Sequence, residues 1–333
     1  MHSSVWKISH WDKQVGIEEK LKIFEDKIKN ATSVAIMGHK NPDGDSLCSM
    51  IALAKLIEVN YGIRCRCMYD GNVPSFLANV PLRDWAKYYE KVDTTAPFDV
   101  VILVDYGAPH QLGGPLSVAQ NAKCLIEIDH HKNDAPMAQI VLSDDTAAAT
   151  GVIIYQIMRA LKWQYDWAVM DLLAVAIMTD TGNFKFARNG APLIIMGELV
   201  DEGVNIRRLL ESMYNKPRRA VQTEARIVSE AEFFYKGRLA LAVIKNEDYR
   251  NLDGRGEMTL SLLEQIKGVE YVVLLKEQKE DKIGISIRSR GNPIDGIAAS
   301  FGGGGHARAA GAVVSDTTLD AVRERVLAVF KGV

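Results

Sequence analysis

The sequence predicts an α/β protein: an N-terminal doubly wound, mostly parallel sheet domain followed by a smaller C-terminal α/β domain. Three observations carry that reading. Through about residue 200, short apolar runs alternate with stretches of helical periodicity, as successive strand-helix-strand units require. A polar, helix-compatible stretch from Asn215 to Ser229 then breaks the pattern, with Lys216, Arg218, Arg219, Glu224 and Arg226 among its residues. After it the alternation restarts on a smaller scale. The 333 residues, 47% apolar and 25% charged, hold enough apolar material for two buried cores. The expected division is residues 1–214, a helical linker at 215–229 and a smaller α/β domain at 230–333.

The first expected strand is Val34 to Met37, followed by a helix over Ser46 to Val59. In that helix Leu47, Ile51, Ala54 and Leu56 lie near helical spacing, and Asp45 or Ser46 can cap it. Further strands are expected over Arg64 to Tyr69, Val100 to Val104, Cys124 to Ile128 and Gln139 to Leu142. Helical patterns run from Ala147 to Leu161, Asp166 to Met178 and Pro192 to Tyr214. The second half gives strands at Leu239 to Lys245, Tyr271 to Lys276 and Lys282 to Arg288. Its helices are expected near Thr259 to Ile266, Ile294 to Ser300 and Leu319 to Phe330. In such sheets ligands gather beyond the carboxyl ends of the strands.

Composition excludes several classes. A net charge of −2 argues against a broad basic surface for long duplex nucleic acid, so any nucleic-acid substrate should be short. The N-terminus lacks a continuous apolar segment and no later stretch reaches the length of a membrane span, so a cytoplasmic protein is expected. Cys48, Cys65, Cys67 and Cys124 form no CxxC pair and read as buried, inert thiols. The five tryptophans, Trp6, Trp11, Trp85, Trp163 and Trp167, form no base-stacking cluster and most read as packing residues, whereas Phe184 and Phe301 are candidates for contacts near a site.

Four segments carry chemistry. In the loop after the first strand, His39, Asp43 and Asp45 combine an imidazole with carboxylates, the donors that manganese or magnesium prefers. Helix capping explains the two aspartates equally well when the loop is taken alone. Asp105 directly follows the apolar run Val100 to Val104, where a carboxylate can bridge two ions. Asp129, His130 and His131 end another apolar run; His130 is assigned to metal, His131 to a substrate phosphate, and Asp129 to orienting a ligand from behind. Asp180 ends an apolar helix, where the helix dipole disfavours a carboxylate and calls for a cation. Two histidines and four aspartates at four element ends suit a pair of adjacent divalent ions that activate water for in-line attack at phosphorus.

GHKNPDGDS (38–46), VDYG (104–107), DHH (129–131) and TDTGNF (179–184) resemble, in order, the four motifs of the DHH phosphoesterases. GISIRSR (284–290) and FGGGGHARAAG (301–311) resemble the associated C-terminal domain of the nanoRNases and RecJ-type exonucleases. The resemblance implies a bilobal phosphoesterase with two Mn2+ ions, Mg2+ or Co2+ being substitutes, in a cleft between the lobes. It implies His39, Asp43 and Asp105 at one ion and Asp45, Asp105, His130 and Asp180 at the other, with His131 on the scissile phosphate. Catalytic roles thus fall to Asp105, His131 and Asp129. Gly302, Gly303, Gly304 and Gly305 expose backbone N–H groups that, with His306 and Arg308, read as a clamp for a terminal phosphate. Arg288 and Arg290, alternating on one strand face, can add a fork suited to phosphate.

Within the family the leading expectation is hydrolysis of short RNA to mononucleotides together with removal of the 3′-phosphate of pAp. A phosphodiesterase for cyclic or linear dinucleotides, a pyrophosphatase or exopolyphosphatase, and a non-catalytic nucleotide sensor are the alternatives. The glycine segment counts against the pyrophosphatase and the intact metal motifs against the sensor. Expected partners are a short RNA or nucleotide substrate and no membrane; association into a homodimer stays open.

Overall fold

A computed structural model describes residues 16–252, 256–278 and 281–332; Trp6 and Trp11 lie outside them. The chain divides into two compact units, residues 1–214 and 215–333. No helix among the described residues is long and apolar enough to cross a membrane.

The first unit is built on six parallel strands: β1 (Val34–Met37), β2 (Arg66–Tyr69), β3 (Ala86–Tyr88), β4 (Val100–Val104), β5 (Leu125–Asp129) and β6 (Ile140–Ser143). Their spatial order is β3-β2-β1-β4-β5-β6. The chain therefore runs outward from β1 in one direction and from β4 in the other, and the crevice beyond the adjoining ends of β1 and β4 is where such sheets bind ligands. His39 and Asp105 leave these two strands.

The helices of this unit are α1 (Ile17–Lys29), α2 (Gly44–Tyr61), α3 (Leu116–Gln120), α4 (Thr150–Ala160), α5 (Trp167–Asp180), α6 (Ala191–Asp201) and α7 (Ile206–Tyr214). One core lies on the α2, α4 and α5 face of the sheet, with Ile36, Ile102, Ile126 and Leu173; the other face buries Met37, Leu103, Tyr106 and Leu125. Apart from Asp171, which pairs with Arg208, helix α5 is apolar around its circumference and buried from Ala168 to Met178, as a helix surrounded by others must be. A Cβ on Gly44 would lie 2.3 Å from Thr179, and one on Gly151 would lie 2.8 Å from Ala176. Those two glycines let the first turns of α2 and α4 close on the last turns of α5, which brings Asp45, Thr150 and Asp180 into one neighbourhood.

The second unit has the strand order β11-β12-β10-β9-β8-β7, comprising β7 (Glu232–Phe234), β8 (Leu239–Ile244), β9 (Tyr271–Glu277), β10 (Ile283–Ser289), β11 (Gly304–His306) and β12 (Ala309–Val314). Only β8 and β9 run parallel. Its helices are α8 (Arg218–Ser229), α9 (Glu257–Glu264), α10 (Asp295–Ser300) and α11 (Leu319–Phe330). Helix α8, the stretch expected as a connection, packs on β8 and α9 and puts Ile227 into a core with Ala240, Val272 and Leu274. The opposite face buries Tyr271, Ile285, Val322, Phe330 and Phe301. Phe301 is thus a core residue, 6% exposed, and Phe184 packs against the main core of the first unit.

Several boundaries differ from the sequence pattern for local reasons. The helix expected over Pro192 to Tyr214 breaks at Gly203, whose φ of +109° no helix accommodates, and continues as α7. Helices α1 and α3 and strands β3, β7, β11 and β12 were not expected. The glycine run ends in β11, an edge strand paired to β12, rather than an open loop. The four cysteines are buried free thiols.

Candidate metal centre

The β1–α2 loop is locked before it offers any ligand. The Ser46 hydroxyl accepts from the His39 backbone N–H at 3.2 Å, and the Ser46 N–H donates to Asp43 Oδ1 at 3.0 Å. Asp43, rather than Asp45 or Ser46, is therefore the cap of α2, because the helix starts at Gly44. Asp45 sits in the first turn, 1% exposed, and reaches across to another helix end. Its carboxylate accepts from the backbone N–H groups of Thr150 (2.6 Å) and Gly151 (2.9 Å) and from the Ser49 hydroxyl (3.0 Å). Capping and ligation are thus compatible in both aspartates.

Asp105 follows β4 with φ +49°, a left-handed backbone uncommon outside glycine. That conformation turns its carboxylate toward both sides of the crevice. Oδ2 lies 3.6 Å from His39 Nε2, while Oδ1 lies 3.4 Å from His130 Nε2 and 3.5 Å from His131 Nδ1. Asp43 Oδ1 is 3.7 Å from His39 Nε2, and Asp180 Oδ2 is 3.5 Å from His130 Nε2. These separations exceed the roughly 2.7–3.2 Å of good hydrogen bonds. They are close to the roughly 3.0–3.5 Å between neighbouring donors that each bond one ion at about 2.0–2.2 Å. The donors fall into three groups, His39 with Asp43 and Asp105, Asp45 with His130 and Asp180, and Asp105 with His130 and His131, each gathered within 4.8 Å. A set of hard oxygens and imidazole nitrogens fits divalent ions of the manganese or magnesium kind.

The imidazoles are oriented for this. His39 Nδ1 contacts the Lys40 carbonyl at 2.9 Å and His130 Nδ1 the Ala147 carbonyl at 3.3 Å, which leaves each Nε2 toward the carboxylates. His131 is held differently: Asp129 Oδ1 accepts from its backbone N–H at 2.9 Å and meets its Nδ1 at 2.8 Å. Asp129 Oδ2 accepts from the N–H groups of Tyr106 (3.0 Å) and Gly107 (2.8 Å). With both oxygens engaged and no exposure, Asp129 orients its neighbours.

Burial and charge crowding perturb both imidazoles and several of the carboxylates. Burial disfavours the imidazolium of His39, but Asp43 and Asp105 outweigh it and raise the pKa to about 9. The same contest at His130, with Asp105, Asp45 and Asp180 on the raising side, gives about 10. Burial, offset in part by His130, raises Asp180 to about 6, and burial with Asp105 and Asp180 pushes Asp45 well up. Burial works to raise Asp129, yet its bonds to His131 and the backbone hold it below the usual range. Without ions the cluster keeps protons that ions would displace.

A family model described as DHH family, N-terminal domain, matches residues 33–177, and one described as DHHA1 domain matches residues 242–332. The chain belongs to the DHH family of phosphoesterases. It is 27% identical over 321 residues to the bifunctional oligoribonuclease and PAP phosphatase NrnA of Thermus thermophilus, covering 96% of this chain and 93% of that one. The protein of the same name in Bacillus subtilis is 23% identical over 85% of this chain and 89% of its own. An exopolyphosphatase-related protein from Bacteroides fragilis shares the fold, with a TM-score of 0.87, 23% identity and coverage of 94% and 96%.

The remaining predicted residues lie in the DHHA1 portion. Arg288 is half-buried on β10, opposite Ala309 of β12, which in turn stands opposite His306 of β11. Arg290 lies beyond the end of β10, where its N–H bonds the Glu270 carbonyl at 2.9 Å, so the expected alternation on one strand stops at Ser289. Arg308 is exposed in the two-residue turn between β11 and β12. The four glycines divide. Gly302 has φ +76°, a Cβ on Gly303 would lie 2.1 Å from the Gly311 carbonyl, and Gly305 combines φ +143° with a 2.6 Å approach to the Ala309 carbonyl. Gly304 faces open space. Gly302 thus serves the exit from α10, and Gly303 and Gly305 the close packing of the hairpin.

Reading by motif missed Thr150, whose hydroxyl donates to Asp105 Oδ1 at 3.3 Å. It also missed the bonds around Glu127, although a glutamate inside the apolar run Leu125 to Ile128 was a visible anomaly.

Proposed function

We propose that this DHH protein hydrolyses short oligoribonucleotides to mononucleotides and removes the 3′-phosphate of pAp, with two Mn2+ ions per site. The reading is carried by the two donor groups that meet at Asp105, together with the oligoribonuclease and PAP phosphatase activity of relatives matched over most of both chains. His39, Asp43 and Asp105 would hold one ion and Asp45, Asp105, His130 and Asp180 the other. Two such ions supply an activated water and neutralise charge at phosphorus.

The chain's own groups do the rest. Asp129 fixes His131 and favours its imidazolium form, which suits contact with a phosphate oxygen. Asp105 holds the ligands of both sides in one frame. In the second unit, Arg288, Arg290, His306, Arg308 and the glycine backbone are proposed to bind the substrate phosphate, and Gly304 is the position where the fold leaves room for it. A compartment without membrane attachment, the cytoplasm, suits such substrates.

A manganese-dependent assay with pAp, pApA, cyclic di-AMP and a 24-mer RNA in parallel tests this. Rapid release from pAp and pApA and slow release from the 24-mer are expected. Preference for cyclic di-AMP would move the assignment to a dinucleotide phosphodiesterase, and binding without turnover of any of them would make the protein a sensor.

A further inference from the structure

Glu127 is a carboxylate with no exposure in the middle of β5, a strand buried along its whole length. A buried charge in a sheet core is costly unless it is paired and hydrogen-bonded. Its neighbours give the compensation. The Tyr106 hydroxyl donates to Glu127 Oε2 at 2.6 Å, and Asn133 Nδ2 lies 2.9 Å from that hydroxyl and 3.4 Å from each Glu127 oxygen. Tyr106 is itself fully buried.

The position of Tyr106 gives this network its consequence. It is the residue after Asp105, whose left-handed backbone persists only where its surroundings over-determine it. Four constraints act on this turn. The Asp105 N–H bonds the Ile128 carbonyl at 3.2 Å, the N–H groups of Tyr106 and Gly107 bond Asp129, and the Tyr106 side chain is anchored at its far end by Glu127 and Asn133. The first three fix the backbone; the last fixes the ring that the backbone carries. A phenylalanine would fill the same space without that anchor.

We propose that Glu127 and Asn133, acting through the Tyr106 hydroxyl, are positioning residues that hold the Asp105 carboxylate where its two oxygens serve both groups of metal donors. The inference rests on the ligand set given under Proposed function. It predicts that weakening the anchor lowers ion affinity before it lowers the intrinsic rate.

Manganese titration by calorimetry of the full-length wild type, Tyr106→Phe, Glu127→Leu and Glu127→Gln tests it, with thermal unfolding followed in parallel. Tyr106→Phe and Glu127→Leu should bind manganese about 10–100-fold more weakly, with turnover recovering as manganese is raised. Glu127→Gln keeps an oxygen for the tyrosine hydroxyl and should stay close to wild type. If Tyr106→Phe does not fold, the contrast between leucine and glutamine at residue 127 carries the test. Folded Tyr106→Phe and Glu127→Leu proteins that melt earlier yet bind manganese like wild type would overturn the proposal, as would equal losses in the leucine and glutamine variants. Wild type that binds no manganese would remove the ligand reading and this inference with it. Wild type that binds manganese but cleaves none of the nucleotides would overturn only the activity, and the affinity contrast would still stand as support.

Discussion

In the first unit the polar groups at the sheet's ligand end are buried and tied down: Asp45, Asp105 and Asp129 are 1%, 2% and 0% exposed, and each accepts hydrogen bonds from its surroundings. In the second unit Arg288 is half-buried, Arg290 and Arg308 are exposed, and no carboxylate pairs with them among the described residues. The contrast fits the roles proposed for the two sets. Donors to an ion at about 2 Å tolerate little movement and need rigid backbone behind them. Groups that meet a variable, diffusing phosphate gain from exposure and from donors left unpaired. Substitutions in the two units should therefore fail differently, the first in ion binding and turnover, the second in substrate affinity.

The largest effect is expected at Asp105, which is shared by two of the three donor groups. Asp105→Ala removes both carboxylate oxygens that face His39 and His130, and turnover should fall to background because paired ions lose their effect together. Initial rates on pAp measure it; activity above about a tenth of wild type would sink the bridging role.

Acid offers a graded version of the same failure. With His39 at about 9 and His130 at about 10 in the ion-free chain, both rings carry protons at neutral pH, and each ion must displace one. Apparent manganese affinity should rise about tenfold per pH unit for each proton displaced, a slope calorimetry in several buffers reads directly. The sign reverses without ions. Histidines whose pKa folding raises add stability that is full below about 6.5, and it is lost as pH rises through about 9 and 10. A flat affinity profile from pH 6.5 to 8.5 would mean that neither imidazole binds an ion.

The hairpin in the second unit gives a smaller effect of a different kind. Gly305→Ala places a Cβ 2.6 Å from the Ala309 carbonyl on a backbone with φ +143°, and should cost about 1–3 kcal/mol of stability. Chemical denaturation measures the loss; a stability unchanged within about 0.5 kcal/mol would mean the hairpin is loosely paired.

How legible all this was depends on the range of the signal. The parallel sheet and the cluster of carboxylates and imidazoles were readable because each motif is a few adjacent residues at the end of an apolar run, as in Val100 to Asp105. Helix α1 was missed although Ile17, Leu21, Phe24 and Ile28 recur at helical spacing and are all buried. Other features depend on partners distant in the chain. Nothing near Asp45 announces that it caps a helix 105 residues on. The edge strand β11 is three residues long, two of them glycine, so composition suggested a loop until β12 was there to pair with it. Glu127 could be seen as an anomaly, but its partner Tyr106 belongs to a neighbouring strand's exit loop.

The smallest effects should come from the groups the fold itself does not need. Gly304 faces open space, so an added methyl group clashes with nothing and stability should stay within about 0.5 kcal/mol of wild type. Arg288, whose guanidinium donates to the carbonyl of Ile287 beside it, is equally dispensable to the sheet. If these positions serve the substrate, Arg288→Ala should raise KM about tenfold through loss of a charged hydrogen bond, and Gly304→Ala should raise it less, with kcat nearly constant in both. Steady-state kinetics on pAp and pApA separate the two parameters. A fall in kcat at constant KM would place Arg288 on the charge that develops at phosphorus, making the two units partners in the chemical step rather than one binding and one cutting.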